Sequence, residues 1–122
     1  MPRRVTKNDD GMPVAVVKVY DFVLWLLPKV ENFPRTHRFT VGDRLSAQGL
    51  ELLTTLVEAA YSTDKTDLLS QANRKVNSTR YLLRLAKDLK LMSTESYGFS
   101  AEKLDEIGRM VGGWRKAAPR PS

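Results

Sequence analysis

The 122-residue chain contains no cysteine and only one histidine, His37. Without cysteine it can form neither disulfides nor thiolate metal ligands, and it has no cysteine nucleophile. A single imidazole also excludes paired-histidine metal sites and most acid–base sites that need a second histidine. His37 stands in a basic segment, with no carboxylate or nucleophile at helical spacing, so it predicts no catalytic site.

Sequence motifs of common small enzymes are absent as well. The chain has no glycine-rich phosphate loop, no Gly-x-Ser-x-Gly turn and no Glu-x-x-His repeat of a di-metal bundle. Helical-bundle ribonucleases often pair an arginine with a histidine several residues later, whereas Arg35 is only two residues before His37. We therefore predict a binding protein without metal or other cofactor, rather than a small helical nuclease.

Long hydrophobic runs are also missing. The longest run, Phe22–Leu27, has six apolar residues, far fewer than the roughly 20 that a membrane-spanning helix needs. Acidic and basic residues interrupt the stretch before this run, and Pro28 and Lys29 follow it, which is untypical of a secretory signal peptide. We predict a cytoplasmic protein with no membrane partner.

No segment shows the alternating pattern of β-strands joined by hairpin turns. Apolar residues recur instead at helical spacing in four segments. These run from Val14 to about Phe33, from about Val41 to Tyr61, from about Lys65 to Leu91, and from Ser100 to Ala118. Four such helices with short links predict an all-α fold, an antiparallel four-helix bundle around one core. The predicted divisions are a flexible arm (1–13), the bundle (14–118) and a C-terminal tail (119–122).

Local signals predict where the helices begin and break. Pro28 lies inside the first helical pattern, so that helix either kinks there or restarts. Thr40 followed by Asp43 predicts a capping-box start for the second helix. Residues 92–99 include a glycine and are predicted as a connector, so that Ser100 caps the fourth helix.

The charge of the chain is positive and unevenly distributed. The formal charge is +6, and residues 64–94 contribute +4 of it with seven basic and three acidic side chains. Five of these basic residues are Arg74, Lys75, Arg80, Arg84 and Lys87. The last three fall within about 60° of one another around the helix axis. Because guanidinium groups pair phosphates and carboxylates well, this ridge predicts a site for an anionic partner. The alternative is a solvated face whose arginines pair with acids of a neighbouring helix.

The third helix is apolar over a wide arc. Tyr81 and Leu85 lie well round from its main apolar stripe, and the second helix carries two adjacent stripes. A surface helix of a monomer needs an apolar arc of little more than about 100°, so we predict an oligomer rather than a large monomeric core. Gly108 and Gly112, one turn apart, would let another backbone approach closely. We assign both glycines, Tyr81, Leu85 and Trp114 to the oligomer interface; the alternatives are tolerated helix weakness at the glycines and a core position for Trp114.

Three segments, taken in order, resemble one protein family. They are residues 33–45 (FPRTHRFTVGDRL), 80–91 (RYLLRLAKDLKL) and 105–114 (DEIGRMVGGW). Together they look like the accessory variability determinant (Avd) proteins of diversity-generating retroelements, over about residues 17–116. Those proteins belong to a wider four-helix-bundle family that includes the ribosomal-RNA intervening-sequence proteins.

The resemblance implies more than the residue patterns do. Avd proteins are non-enzymatic bundles, encoded by bacteria or phages, that assemble into a basic homo-pentameric barrel. They bind the reverse transcriptase of the retroelement, RNA and possibly DNA, and they support mutagenic retrohoming. The Arg-aromatic-x-x-Arg element of the family matches at residues 80–84, and its basic residues around the first connection match Arg35, Arg38 and Arg44. These positions, with the rest of the ridge, are the implied binding residues.

The wider family offers a second function. Relatives of the intervening-sequence type imply a structural or interaction bundle without a reverse-transcriptase partner. Both functions use the same fold, and a reverse transcriptase encoded nearby together with imperfect repeats would favour the first.

Overall fold

The computed structural model describes residues 11–119 and places four long helices in them. These are α1 (Val14–Glu31), α2 (Asp43–Tyr61), α3 (Thr66–Asp88) and α4 (Thr94–Ala117). None of the described residues belongs to a β-strand, so the prediction of an all-α fold is confirmed. Of the predicted arm and tail, residues 1–10 and 120–122 lie outside the described residues.

Contacts between helices give their order and direction. The crossing pairs are Gln48–Ser78 and Glu51–Lys75 (α2–α3), Arg80–Asp105 and Lys87–Tyr97 (α3–α4), and Lys18–Glu106 and Trp25–Phe99 (α1–α4). In each of these three helix pairs, later residues of one helix contact earlier residues of the other, so the two helices run antiparallel. Because α4 returns to α1, the four helices enclose one core, which is the arrangement of an antiparallel four-helix bundle.

One apolar stripe from each helix forms this core. Side chains with no exposed surface include Leu26, Leu45, Leu52, Leu56, Leu69, Leu83, Leu104 and Val111. Burying a side chain of this size contributes about 1.5–3 kcal/mol. Two polar residues are also fully buried, and both are satisfied: the Thr79 hydroxyl donates to the Lys75 carbonyl and the Ser100 hydroxyl to the Tyr97 carbonyl, each at 2.7 Å.

Helix α1 continues through Pro28, so the predicted alternative of a restart there is wrong. Pro28 has no N–H to donate to the Leu24 carbonyl, but both residues are exposed, and water can satisfy that carbonyl. The helix ends at Glu31. Pro34 keeps Phe33 outside the helix, and Phe33 is buried in the core.

The first connection is helical over most of its length. A short turn (Arg35–His37) leads into a π-helical turn (Arg38–Gly42), and this runs directly into α2. The predicted capping box is wrong, because no side chain caps α2 and the Thr40 hydroxyl donates to the His37 carbonyl at 3.3 Å. The physical reason is continuity: the N–H of Asp43 already donates to backbone carbonyls of the π-helical turn, so it needs no side-chain acceptor.

Helix α4 begins earlier than predicted. Ser93 caps it by accepting a hydrogen bond from the N–H of Ser96 at 3.0 Å, and Gly98 lies inside the helix. The predicted connector over residues 92–99 and the cap at Ser100 are therefore wrong. A real N-cap at Ser93 outweighs one helical glycine, which costs only about 1 kcal/mol relative to alanine.

Lys90, two residues after the end of helix α3, has the left-handed backbone conformation, with φ 62°. The N–H of Leu91 then reaches back to the Ala86 carbonyl at 2.9 Å, which closes the helix end. Glycine is the usual residue at such a position, because a Cβ disfavours this backbone conformation.

We expect Lys90→Gly to raise the free energy of unfolding by about 1 kcal/mol relative to Lys90→Ala, because only glycine removes the Cβ penalty. Urea unfolding followed by circular dichroism measures the difference. The alanine variant is the matched control, since both substitutions remove the lysine charge. Equal stability of the two variants would contradict the strained helix end.

Candidate nucleic-acid interface

Arg80 is held against α4 by three neighbours. Its guanidinium forms an ion pair with Asp105 and donates a further hydrogen bond to the Leu104 carbonyl at 3.4 Å. Gly108 leaves room for this group, because a Cβ there would lie 3.1 Å from Nη2 of Arg80. The alternative in which an arginine of the ridge pairs with an acid of a neighbouring helix therefore describes Arg80. This residue joins α3 to α4, and Asp105 offsets its charge.

Lys87 and Arg84, the other members of the predicted ridge, differ from each other. Lys87 is half-buried, lies 3.6 Å from Asp88 and sits over the ring of Tyr97 at 4.9 Å. Arg84 is exposed, and no side chain or backbone group within residues 11–119 hydrogen-bonds or pairs with it. Of the three ridge cations, Arg84 is thus the one that can turn fully to an external anion.

Arg109 is a further cation that sequence reasoning missed. It is exposed on α4, one turn after Asp105, and it has no partner within the described residues. Because α3 and α4 are antiparallel, Arg84 lies about 6 Å along the bundle axis on one side of the Arg80–Asp105 pair, and Arg109 about 6 Å on the other. We call Arg80, Arg84 and Arg109 the arginine face.

The spacing of the arginine face suits a nucleic-acid strand. Its two unpaired arginines are about 12 Å apart along the axis. A stacked strand carries one phosphate for every 3.4 Å or so of rise, so the two guanidiniums span roughly three phosphate steps. The half-exposed guanidinium of Arg80 lies between them. The signal for Arg109 was present in the sequence as Asp105 and Arg109 one helical turn apart, but its position beside α3 depends on how the helices pack.

A second polar groove lies between α2 and α3. Its lining residues are Gln48, Gln71, Arg74, Lys75 and Ser78. Lys75 forms an ion pair with Glu51 at 3.0 Å, whereas Arg74 is exposed and has no partner within residues 11–119. Of the two basic residues predicted here, only Arg74 carries an unpaired charge.

The three arginines of the first connection have two different surroundings. Arg38 donates two hydrogen bonds to the Phe33 carbonyl, from Nε and Nη2, both at 3.3 Å. It therefore fastens the connection to the end of α1. Arg35 and Arg44 are exposed and make no hydrogen bond or ion pair in the described part of the chain, so their guanidiniums are available to an anion.

The five residues predicted for the oligomer interface do not share one surface. Tyr81 and Leu85 are exposed on α3. Gly108 faces the Arg80 guanidinium of its own chain, whereas a Cβ at Gly112 would meet open space. Trp114 is half-buried and packs against the core. The role of these residues in assembly stays a prediction.

Neither a metal-ligand cluster nor a membrane-spanning helix occurs in residues 11–119. No three His, Cys, Asp or Glu side chains there are placed to hold one metal ion. None of the described helices combines the length and apolar character that crossing a bilayer requires.

The four antiparallel helices and the basic α3–α4 side define a small all-α protein with unpaired arginines at its surface. The model of the bAvd-like family matches residues 13–118, which include all four helices. The chain belongs to the bAvd-like family. This confirms the resemblance to Avd proteins that the three sequence segments indicate. A comparison with curated proteins gives no match.

We expect Arg80→Ala to lower the free energy of unfolding by about 1 kcal/mol, because it removes an ion pair and a hydrogen bond between α3 and α4. Arg84→Ala is the matched control on the same helix and should change stability by less than about 0.5 kcal/mol. Urea unfolding of the two variants measures both effects. Adding Asp105→Ala to Arg80→Ala should cost little more, because the pair is already broken. Equal losses of stability in Arg80→Ala and Arg84→Ala would contradict the assigned pair.

Proposed function

We propose that the chain is a non-enzymatic accessory protein of a diversity-generating retroelement. In this proposal it acts in the cytoplasm, needs no cofactor, and binds the reverse transcriptase and nucleic acid (template RNA or cDNA) to support mutagenic retrohoming. Membership of the bAvd-like family carries the proposal. The unpaired arginines and the formal charge of +6 support it, because both suit a polyanion.

In our proposal nucleic acid binds along the arginine face. Arg84 and Arg109 supply the direct phosphate contacts, and Arg80 adds a partly neutralised charge between them. Lys87 lies one turn beyond Arg84 on the same side of α3. Contacts to phosphates carry no sequence information, so we expect binding that depends strongly on salt and weakly on sequence.

Copies of the chain would multiply this surface. We propose the homo-pentameric barrel that the family resemblance implies. Five copies present five arginine faces to one strand or one polymerase surface, and linked weak contacts raise the overall affinity.

We expect Arg84→Ala with Arg109→Ala to weaken binding of a fluorescent 30-nucleotide single-stranded RNA by at least about tenfold, because two phosphate contacts are lost. The slope of log affinity against log salt should fall by about 1.4 for each arginine face that the strand contacts, since each contact to a single strand contributes about 0.7. Fluorescence anisotropy at several salt concentrations measures both quantities.

Two matched variants sharpen this experiment. Arg35→Ala with Arg44→Ala also removes two exposed arginines but leaves the arginine face intact, so it should leave the affinity nearly unchanged. Asp105→Asn removes the acid that offsets Arg80 and should strengthen binding several-fold. If the connection variant weakens binding and the arginine-face variant does not, the nucleic acid lies along the first connection instead.

We expect the chain to retain the reverse transcriptase of a diversity-generating retroelement in a pull-down at low salt and to release it at high salt, because screening weakens contacts between exposed charges. Nuclease treatment of both proteins separates direct binding from bridging by RNA. No retention at low salt, with RNA binding intact, would favour a bundle of the intervening-sequence type without this partner.

A further inference from the structure

The side of the bundle between α1 and α2 carries an apolar groove that no described residue covers. Tyr20 is 51% exposed, Leu24 59% and Leu50 45%. Leu27 and Leu53 are half-buried beside them. We call these five residues the apolar ladder. They occupy successive turns of two antiparallel helices, so they form one continuous surface.

The apolar ladder is almost free of charge. Among the described residues, Glu31 is the one charged residue that lines the groove, and it lies at the end where α1 finishes. Exposed apolar surface of this kind on a small protein marks a contact with another molecule. Since the core already encloses one stripe of each helix, these residues are surplus to the fold of a single chain.

A second exposed apolar surface lies on α3. Tyr81 is 70% exposed, Leu85 43%, and Leu89, which directly follows the helix, 40%. The spacing of four residues places them in one row about 12 Å long, close to the length of about 11 Å spanned by Tyr20–Leu27. We call this row the α3 strip. Arg74, which is exposed and unpaired within residues 11–119, lies on the same side of the helix.

We propose that the apolar ladder of one copy of the chain receives the α3 strip of a second copy. One type of contact then covers both apolar surfaces. It also brings acidic Glu31 to the same interface as basic Arg74, whereas strip against strip would leave every ladder exposed. This inference identifies the interface of the oligomer in the proposed function and rests on that oligomer.

The contact is head-to-tail, because the two surfaces lie on different parts of the chain. Each copy therefore offers one unused ladder and one unused strip, and repetition of the contact yields a ring when the rotation closes. Arg109 lies on α4, away from both apolar surfaces. Arg84 borders the α3 strip, about 60° round the helix axis from Tyr81, so it lies at the edge of the contact and faces the α3–α4 side.

We expect Leu24→Glu and Tyr81→Glu each to convert the assembled protein to a monomer, since each places a charge in one half of the apolar contact. An equal mixture of the two variants should form a dimer. Leu24→Glu keeps an intact strip, Tyr81→Glu keeps an intact ladder, and only one productive contact can form between them. Light scattering coupled to size exclusion measures the masses.

Phe39→Glu is the matched control, because Phe39 is 61% exposed but belongs to neither surface; it should assemble like the unchanged chain. Leu50→Glu is a second ladder variant and should behave like Leu24→Glu. Circular dichroism checks that each variant remains helical.

Three outcomes would overturn the inference, and they differ from one another. Assembly of Tyr81→Glu alone would mean that ladder packs on ladder. Assembly of both single variants would place the interface elsewhere while leaving the oligomer of the proposed function intact. A monomeric unchanged chain would remove that oligomer as well, although RNA binding along the arginine face would still stand or fall by its own experiment.

Discussion

Burial of one apolar stripe from each of four helices is the interaction on which the rest of the structure depends. The chain has no cysteine to cross-link it, so packing of residues such as Leu26, Leu52, Leu83 and Leu104 has to hold the helices in register. Once the core is enclosed, the four sides of the bundle can differ without affecting it. The α1–α2 side is apolar and the α3–α4 side is basic, and each therefore has its own possible partner.

The Arg80–Asp105 pair shows how packing changes the meaning of a charge pattern. On α3 alone, Arg80 and Arg84 look equivalent, because they are one turn apart on one side of the helix. Antiparallel packing places Asp105 and the small Gly108 opposite Arg80, whereas Arg84 forms no ion pair with a described acid. One arginine consequently joins two helices while the other remains available. Two arginines that look alike in the sequence thus differ in role: Arg80 is structural, and Arg84 is available for binding.

Sequence reasoning was accurate where the signal is periodic within one helix. The buried residues Val19, Val23, Leu45 and Leu56 follow from spacing alone, because core burial imposes it. Spacing does not fix helix starts, because one hydrogen bond decides them: the bond from the N–H of Ser96 to Ser93 starts α4 where the sequence predicts a connector.

Sequence reasoning also does not identify which acidic side chain pairs with each arginine or lysine, since that depends on the register between helices. Arg109 is an example, because nothing within α4 reveals that it flanks an ion pair with α3. The wide apolar arc of α2, by contrast, is visible in the sequence, and the structure adds which neighbour it adjoins: Leu53 of α2 lines the same groove as Leu24 of α1.

Assembly and nucleic-acid binding are physically coupled if both proposals hold. A single arginine face offers two unpaired guanidiniums, and so few phosphate contacts give weak binding at physiological salt. A ring held by the apolar ladder repeats that face, and a strand bound at one copy meets the next at high effective concentration. The hydrophobic contact is insensitive to moderate salt whereas the phosphate contacts are not. Salt would therefore release the nucleic acid and leave the ring intact. The apolar contact determines how many copies assemble, and so how many arginine faces bind one strand together.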